Sequence, residues 1–511
     1  MNSGSERSSS LWMEIDAAEG PPSLSGEERA DILVVGSGIA GLSAAYELTQ
    51  AGRSVIVLDR GPLSGGMSAR TTAHLASDCD DYYHALVSSL GLEAARTFHQ
   101  SHVAAINRIE AIQEAEAIDC DFARLDGYLF AASEGDVGLL DRELEACQRV
   151  GVTGVERLES APLPGAAGRA CLRFSGQGRF HPRKYMNGLI AALRRDGARL
   201  YANSPVESVE EADGGVVAKC VGGARVRCDA AVIATNSPVN DWMAIHTKQA
   251  PYRTYAFAAP VPKGSVPDAL FWDTADPYHY VRLQPRNDDE DVLIVGGEDH
   301  KTGHAGADEI RERIERLEAW ARGFFPTMGI VERIWSGQVL EPTDRLPYIG
   351  RNHGNAAIYV ATGDSGQGMT SGVAAGILLR ELVLGREHAW AAAFDPRRKP
   401  ASVAAATEYL KENLDVAARM LAHVTPGEVK SVEDLPPGSG AIIRRGLGKI
   451  AAYRAESGRL YLHSASCTHA GCVLEWNPFE MCWDCPCHGS QFAPDGEVLN
   501  GPAIHPLRNP D

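Results

Sequence analysis

The chain has 511 residues, 44% of them hydrophobic and 23% charged, with a formal net charge of -18. The composition is that of a folded globular protein and excludes a disordered chain, and the excess of acid argues against a nucleic-acid partner, because phosphate binding needs a basic surface. The length predicts more than one domain.

Residues 1–27 form a polar, Ser-, Glu- and Gly-rich extension. With no apolar core segment and no twin arginine there, no signal peptide is expected and the protein is expected in the cytoplasm. No stretch of about twenty apolar residues predicts a membrane-spanning helix. The stretch "ADILVVGSGIAGLSAAYELTQAGRSVIVLDRG" then predicts a buried strand at Ile32–Val35, a helix from Ile39 to Ala51 with Gly52 as its C-cap, and a second buried strand at Val55–Leu58. Gly36, Gly38 and Gly41 make a G-x-G-x-x-G turn at the mouth of that helix. The first permits the tight turn, the second lets a pyrophosphate approach the backbone, and the third lets helix and strand pack closely. Asp59 ends the second strand, placed to bind ribose hydroxyls. Ser37, Ile39, Ala40 and Arg60 complete the expected dinucleotide-binding set. Taken alone, the glycines also suit a packing turn.

The middle of the chain mixes helix-like stretches ("ADEIRERIERLEAWARGFF") with strand-like ones ("YHYVRLQ", "DVLIVGG"), as in an α+β layer facing a substrate. "AAIYVATGDSGQGMTSGVAAGILLRELVLG" repeats the order of strand, Gly-rich turn and helix. Residues 391–426 read as a linker and 427–511 as short strands and turns. Six cysteines are scattered and read as buried thiols, while Cys467, Cys472, Cys482, Cys485 and Cys487 crowd one window. Within it, Cys467-x-His469 and Cys485-x-x-His488 place one thiolate and one imidazole on each of two segments. A structural zinc finger pairs its ligands differently, whereas a Rieske centre takes two thiolates on one iron and two imidazoles on the other. Zinc and a disulfide-only knot stand as the alternatives.

The fingerprint, "GGMSARTTAHL", "ATNSP" and "EPTDRLPYIG...IYVATGDSGQGMTSG" together resemble the D-amino-acid oxidase (DAO) superfamily of FAD-dependent oxidoreductases over about residues 28–390. The resemblance implies FAD, with Arg70, Thr71 and Thr72 near the pyrophosphate or flavin. Val206 would contact adenine through its backbone, and Gly363, Gly366, Gly368, Met369 and Thr370 would border the flavin's pyrimidine end. "CTHAGC", "CPCHGS" and "GEVLNGPAIHPL" resemble the Rieske domain over about residues 427–511, which implies a [2Fe-2S] cluster and a Cys472–Cys487 disulfide. By the same resemblance Ser490 stands where a hydroxyl donates to a bridging sulfide, and Phe492 replaces a tyrosine that donates to a ligand sulfur. One donor fewer predicts an intermediate cluster potential. Cys482 has no ligand role in the pattern and reads as a buried thiol. The expected fold is an α/β FAD-binding Rossmann-type domain with an inserted α+β substrate domain, followed by a small all-β Rieske domain.

A flavin accepts two electrons at once and a Rieske cluster carries one. The leading expectation is therefore a dehydrogenase that oxidises an amine or amino-acid-like small molecule by hydride transfer to FAD. Electrons would leave singly through the cluster to an external acceptor, a protein or a quinone-like molecule. An electron relay without its own substrate and an oxygen-using oxidase remain open. Several amino-acid oxidases carry Arg-Pro before the aspartate of the flavin loop, where the arginine grips a carboxylate; here the pair is Glu341-Pro342, and a glutamate cannot do this. Arg253, Arg282 or Arg345 would have to substitute. Tyr278, Tyr280 and Arg282 alternate along a strand and so share one face; they and Glu341 are the candidate pocket, against a plain core strand and a surface acid. His74 is read either as a covalent flavin tether or as a non-covalent site histidine. No catalytic base is assigned.

Overall fold

Strands Ile32–Val35, Val55–Leu58 and Ala230–Ile233 are buried at every position, the pattern of a parallel sheet covered on both faces. They lie at the centre of a six-stranded sheet in the order Tyr348–Arg351, Ile358–Thr362, Ala230–Ile233, Ile32–Val35, Val55–Leu58, Arg199–Tyr201. All pairings are parallel except the one at the Tyr348–Arg351 edge. The computed structural model describes residues 7–20, 23–212, 214–239, 245–399, 403–421, 427–446 and 448–510. Helices Ile39–Gln50 and Gly368–Val383 pack against each other over this sheet, in contact so close that Gly376 has no room for a methyl group beside Ser43.

A second, larger sheet runs in the order Arg333–Pro342, Gln249–Pro262, Glu290–Lys301, His279–Pro285, Leu270–Asp273, Ala123–Phe130, Cys171–Arg179, His74–Leu75. Its register sets Tyr280 opposite Gly296, and the Tyr280 ring lies across that glycine, where a methyl group would sit 2.3 Å from it. This is the expected α+β layer. The sequence-derived helix at 307–325 is observed as Ala307–Phe324.

From Ser439 on, a three-stranded sheet (Ser439–Arg445, Gly448–Arg454, Leu460–Ser464) and a four-stranded one (Glu475–Asn477, Cys482–Asp484, Gln491–Phe492, Val498–Asn500) make the small all-β unit. The segment expected as linker carries the helices Ala391–Phe394 and Val403–Leu421; its residues 400–402 and 422–426 lie outside the described residues. Among the described residues no helix is long and apolar enough to cross a membrane.

The N-terminal segment is no loose tail in its described part. Trp12 is fully buried and its Nε1 donates to Thr71 O at 2.6 Å, while Ser8 donates through N and Oγ to the Glu480 carboxylate at 3.0 and 2.6 Å. Glu480 also pairs with Arg70 at 3.3 Å and accepts from Ser336 Oγ. Burial works to raise the Glu480 pKa, but the Arg70 and Arg253 guanidiniums outweigh it and hold the carboxyl below its usual range. Beside it, Arg253 Nη2 donates to both oxygens of Asp484 at 2.9 and 3.0 Å, and its Nη1 to Ser336 Oγ at 2.7 Å. Asn477 Nδ2 and Gln491 Nε2 complete the shell of Asp484, each at 2.8 Å. All four charged side chains of these two pairs are at most 3% exposed.

Removing one member of a buried pair strands the other charge at a cost of about 3–5 kcal/mol. Arg253→Ala is therefore expected to lower the unfolding free energy of the C-terminal unit by that amount, read by urea titration. The double variant Arg253→Ala, Asp484→Ala should lose less than the sum of the single ones. A coupling under about 0.5 kcal/mol in that cycle would show that the pair does not hold the interface.

Candidate functional site

The turn between Val35 and Ile39 opens on a cavity of about 290 Å³. Gly36 has φ +104°, and a methyl group on it would lie 2.3 Å from Ala234 O; one on Gly41 would lie 1.9 Å from Gly36 O. Both positions exclude any other residue, and the result is a bare backbone turn at the N-terminus of a twelve-residue helix, where free N–H groups favour an anion. Asp59 accepts from Ser37 N at 2.7 Å, Ser37 Oγ at 2.6 Å and Gly61 N at 2.8 Å. Burial raises its pKa against the opposing effect of these donors.

The cavity is lined by Gly36, Gly38, Ile39, Ala40, Asp59, Arg60, Arg70, Thr71, Thr72, Val206, Gly363, Gly366, Gly368 and Met369. Ser37, Gly41 and Thr370 are not among the lining residues. Ser37 orients Asp59, Gly41 lets the helix close on the turn, and Thr370 Oγ1 donates to Gln367 O at 3.2 Å inside the first helical turn. A glycine cradle, a helix N-terminus and an acid at the end of the second strand fit the pyrophosphate and ribose of FAD, which these residues would hold.

The other end of the cavity is walled by the large sheet and by the segment after His74. Thr254, Trp272, Tyr278, Tyr280 and Asp299 line it together with His74, Asp78, Asp80 and Asp364. Tyr278 Oη donates to Asp80 Oδ2 at 3.1 Å, and Tyr280 Oη lies 2.9 Å from Thr254 Oγ1. Burial raises the acids: Asp78 to about 7 with Glu143 adding, Asp299 to about 6, Asp364 to about 6, and Asp80 well above its usual value with Asp81 and Asp78 adding. His74 has Nδ1 3.1 Å from Thr72 Oγ1, while its Nε2 has no hydrogen-bond partner; burial, then Arg282, lowers its pKa to about 3.

Two of the four expected pocket residues are not in the lining. Arg282 donates to Ala73 O, Phe180 O and Gln284 Oε1 at 3.0, 3.1 and 2.6 Å, because its position along the strand carries it past the cavity into the core. Glu341 stands outside the lining too, its pKa pushed well up by burial and then by Asp81, Asp299 and Asp80. The other candidate carboxylate grips are also committed, Arg253 to Asp484 and Arg345 to Asp81 at 3.4 Å. Sequence reasoning missed Asp78, Asp80 and Asp299. "SDCDD" was legible as an acidic run, but nothing in it told a cavity wall from a solvated loop.

In the C-terminal unit, two loops bring the cysteine window together. Cys472 and Cys487 form a disulfide with an S–S distance of 2.01 Å. The sulfurs of Cys472, Cys485 and Cys487 lie within 4.8 Å of one another, but a disulfide sulfur has no thiolate to offer a metal, which leaves Cys485. Its partner is Cys467: a hydrogen bond between the two thiols, backbone donors at His469 and Ala470 and the Ser490 hydroxyl bring Cys467 down to about 7 despite burial. The rings of His469 and His488 are 5.0 Å apart, and His488 Nδ1 is buried with no hydrogen-bond partner. Two thiols with thiolate-stabilising donors and two neighbouring imidazoles fit a Rieske [2Fe-2S] cluster, which Cys467, His469, Cys485 and His488 would ligate. Ser490 Oγ accepts from Ala503 N at 3.0 Å, Phe492 is fully buried, and Cys482 is buried with its Sγ 3.6 Å from Asp484 Oδ1.

His246, from the FAD-binding side, covers the imidazoles: its ring centroid is 4.9 Å from that of His469 and 5.5 Å from that of His488. Gln249, three residues further on, has Oε1 3.2 Å from Thr362 Oγ1, a residue of the cavity wall. Leu499, Asn500 and Gly501 of the C-terminal unit line the cavity itself.

Residues 31–382 match the family described as FAD dependent oxidoreductase (DAO), and residues 425–511 match the Rieske [2Fe-2S] domain. A Bacillus subtilis protein named as a Rieske 2Fe-2S iron-sulfur protein, YhfW, is 31% identical over 96% of this chain and 95% of its own length. Gamma-glutamylputrescine oxidoreductase of Escherichia coli is 26% identical over 70% of this chain and 84% of its own. Glycine oxidase from Geobacillus kaustophilus shares the fold with a TM-score of 0.61 at 20% identity, covering 73% of this chain and 99% of that one. The chain belongs to the DAO family of FAD dependent oxidoreductases, joined in one polypeptide to a C-terminal Rieske domain.

Proposed function

We propose that the protein is a dehydrogenase that oxidises the C–N bond of an amine or amino-acid-like substrate, passing electrons one at a time through a Rieske cluster in the same chain to an external protein or quinone-like acceptor. FAD would supply a two-electron acceptor for the substrate hydride, and the cluster a one-electron carrier. Per turnover the substrate loses a hydride from carbon and a proton from nitrogen, leaving an imine that water hydrolyses. Two equivalents of a one-electron acceptor restore the enzyme.

One observation carries this reading: the C-terminal unit lines the FAD-type cavity with Leu499, Asn500 and Gly501 while its two imidazoles sit against His246. A domain held there by buried ion pairs is supported as an internal electron outlet rather than an appendage. The residues of the chain do the binding and orientation. The Gly36–Gly41 turn and Asp59 would hold the dinucleotide, and Tyr278, Tyr280 and Trp272 would pack the substrate. Among the described lining residues the arginines are Arg60 and Arg70, which bond to Ala503 O and to Glu480.

Anaerobic mixing of the holoenzyme with a panel of amines and amino acids is expected to bleach the flavin absorbance and then the oxidised-cluster band. Bleaching only after a reduced carrier protein is added would favour a relay, and rapid peroxide formation in air an oxidase. Cys485→Ser is expected to remove iron and acid-labile sulfide while the protein stays yellow, since the cavity for FAD is built largely from the other domain. In that variant substrate should still bleach the flavin, with transfer to a one-electron acceptor slowed at least about 100-fold. Loss of both chromophores together would contradict the assignment of separate sites.

A further inference from the structure

Between the cavity and the cysteine window stands an imidazole that is neither a lining residue nor an expected iron ligand. His246 opens the short turn His246–Lys248 that leads into strand Gln249–Pro262, and it is 2% exposed. On one side it reaches the cavity wall. Thr235 and Asn236 line the cavity, Thr235 Oγ1 donates to Ser237 O at 2.8 Å, and Ser237 Oγ lies 3.4 Å from His246 Nδ1. Thr362 Oγ1 fixes the same segment by donating to Asn236 O at 2.5 Å. On its other side His246 meets both His469 and His488, with ring centroids at 4.9 and 5.5 Å. These separations fall within the roughly 4.5–7 Å over which rings pack edge to face.

Other bridges cross from the cavity wall to the C-terminal unit. Gln338 Nε2 donates to Gly489 O at 3.0 Å, and Arg60 Nη2 to Ala503 O at 3.1 Å. Both end on backbone carbonyls, whereas His246 touches two side chains that would ligate iron. The difference matters for an electron. An iron held by two thiolates carries two ligand anions and one held by two imidazoles carries none, so added negative charge settles at lower cost on the imidazole side. That is the side His246 covers.

Resting on the proposed internal electron outlet, we propose that His246 is its positioning residue: it packs the His469 and His488 rings against the cavity wall and closes the gap that each electron crosses. In each of two steps reduced FAD loses one electron and one ferric ion becomes ferrous. No bond forms or breaks between the two groups, the flavin protons pass to solvent, and the external acceptor then takes the electron from iron.

Anaerobic stopped-flow oxidation tests this without any substrate. Holoenzyme reduced with dithionite and desalted is mixed with ferricyanide, and the oxidised-cluster and flavin bands are followed separately. In the wild type the cluster band is expected to return first and the flavin band to follow through it. Cys485→Ser, without a cluster, reports direct oxidation of the flavin by ferricyanide and is expected to be slower. His246→Ala, with iron, sulfide, FAD and the reduced-cluster EPR spectrum checked, should slow the flavin phase at least about ten-fold and leave the cluster phase within about two-fold. His246→Leu serves the same purpose if the alanine variant loses the cluster. His246→Phe keeps a flat ring in the contact and should restore the flavin phase to within about three-fold of the wild type. A C-terminal unit merely displaced by the substitution would bare the imidazoles and quicken the cluster phase. That outcome, no recovery in His246→Phe, or a flavin phase unchanged in His246→Ala but slowed in Cys485→Ser would overturn the inference and leave the outlet standing. A flavin phase as fast in Cys485→Ser as in the wild type would overturn the outlet itself.

Discussion

Two guanidinium–carboxylate pairs, Arg253 with Asp484 and Arg70 with Glu480, are shut away from water where the Rieske unit meets the FAD-binding unit. Taking four charges out of water consumes most of what their attraction returns, so such pairs add little net stability compared with well-packed apolar residues. Their effect is on geometry. A greasy interface tolerates sliding, whereas a guanidinium nitrogen shared between both oxygens of Asp484, with Asn477 and Gln491 filling the remaining positions, is satisfied in one alignment only. Ser336 joins the two pairs through its hydroxyl, and Ser8 of the N-terminal segment closes the network on Glu480. That alignment sets His469 and His488 against His246, and Leu499–Gly501 into the cavity wall.

The same low-dielectric principle runs in the opposite sense at the cavity wall formed by the large sheet. At the interface each buried carboxylate has a guanidinium, and Glu480 stays below the normal range despite its burial. In the cavity, burial and neighbouring acids prevail over the Arg313 and Arg345 guanidiniums, and the carboxyl pKa values rise. One set of acids is neutralised by guanidiniums within the fold; in the other, burial and like charge prevail.

The nucleotide turn, the helix behind it and the thiol–imidazole spacing of the cysteine window were legible in the amino-acid order because each is local. A glycine at φ +104° with no room for a methyl group announces itself by three glycines at fixed offsets between two apolar runs. One cysteine and one histidine on each of two short segments announce in the same way the pattern that a two-iron cluster would use. Arg282 took the core reading of the two its strand left open, because alternation along a strand fixes which face a side chain takes but not how far along that face the cavity extends. The packing of the polar N-terminal extension was not legible, since nothing in it shows that Trp12 and Ser8 find partners at Thr71 and Glu480.

What the sequence determined by itself were the elements whose causes lie within about thirty residues: strand and helix periodicity, the dinucleotide turn and the pairing of ligand types in the cysteine window. What only the tertiary structure decided were the acids of the cavity wall and the partners of the arginines. Asp484 lies 231 residues from Arg253, and Glu480 lies 410 from Arg70. A charge carries no mark of the partner it will meet, and whether a buried acid is neutralised or left with an unsatisfied oxygen depends on which distant strand the fold brings beside it.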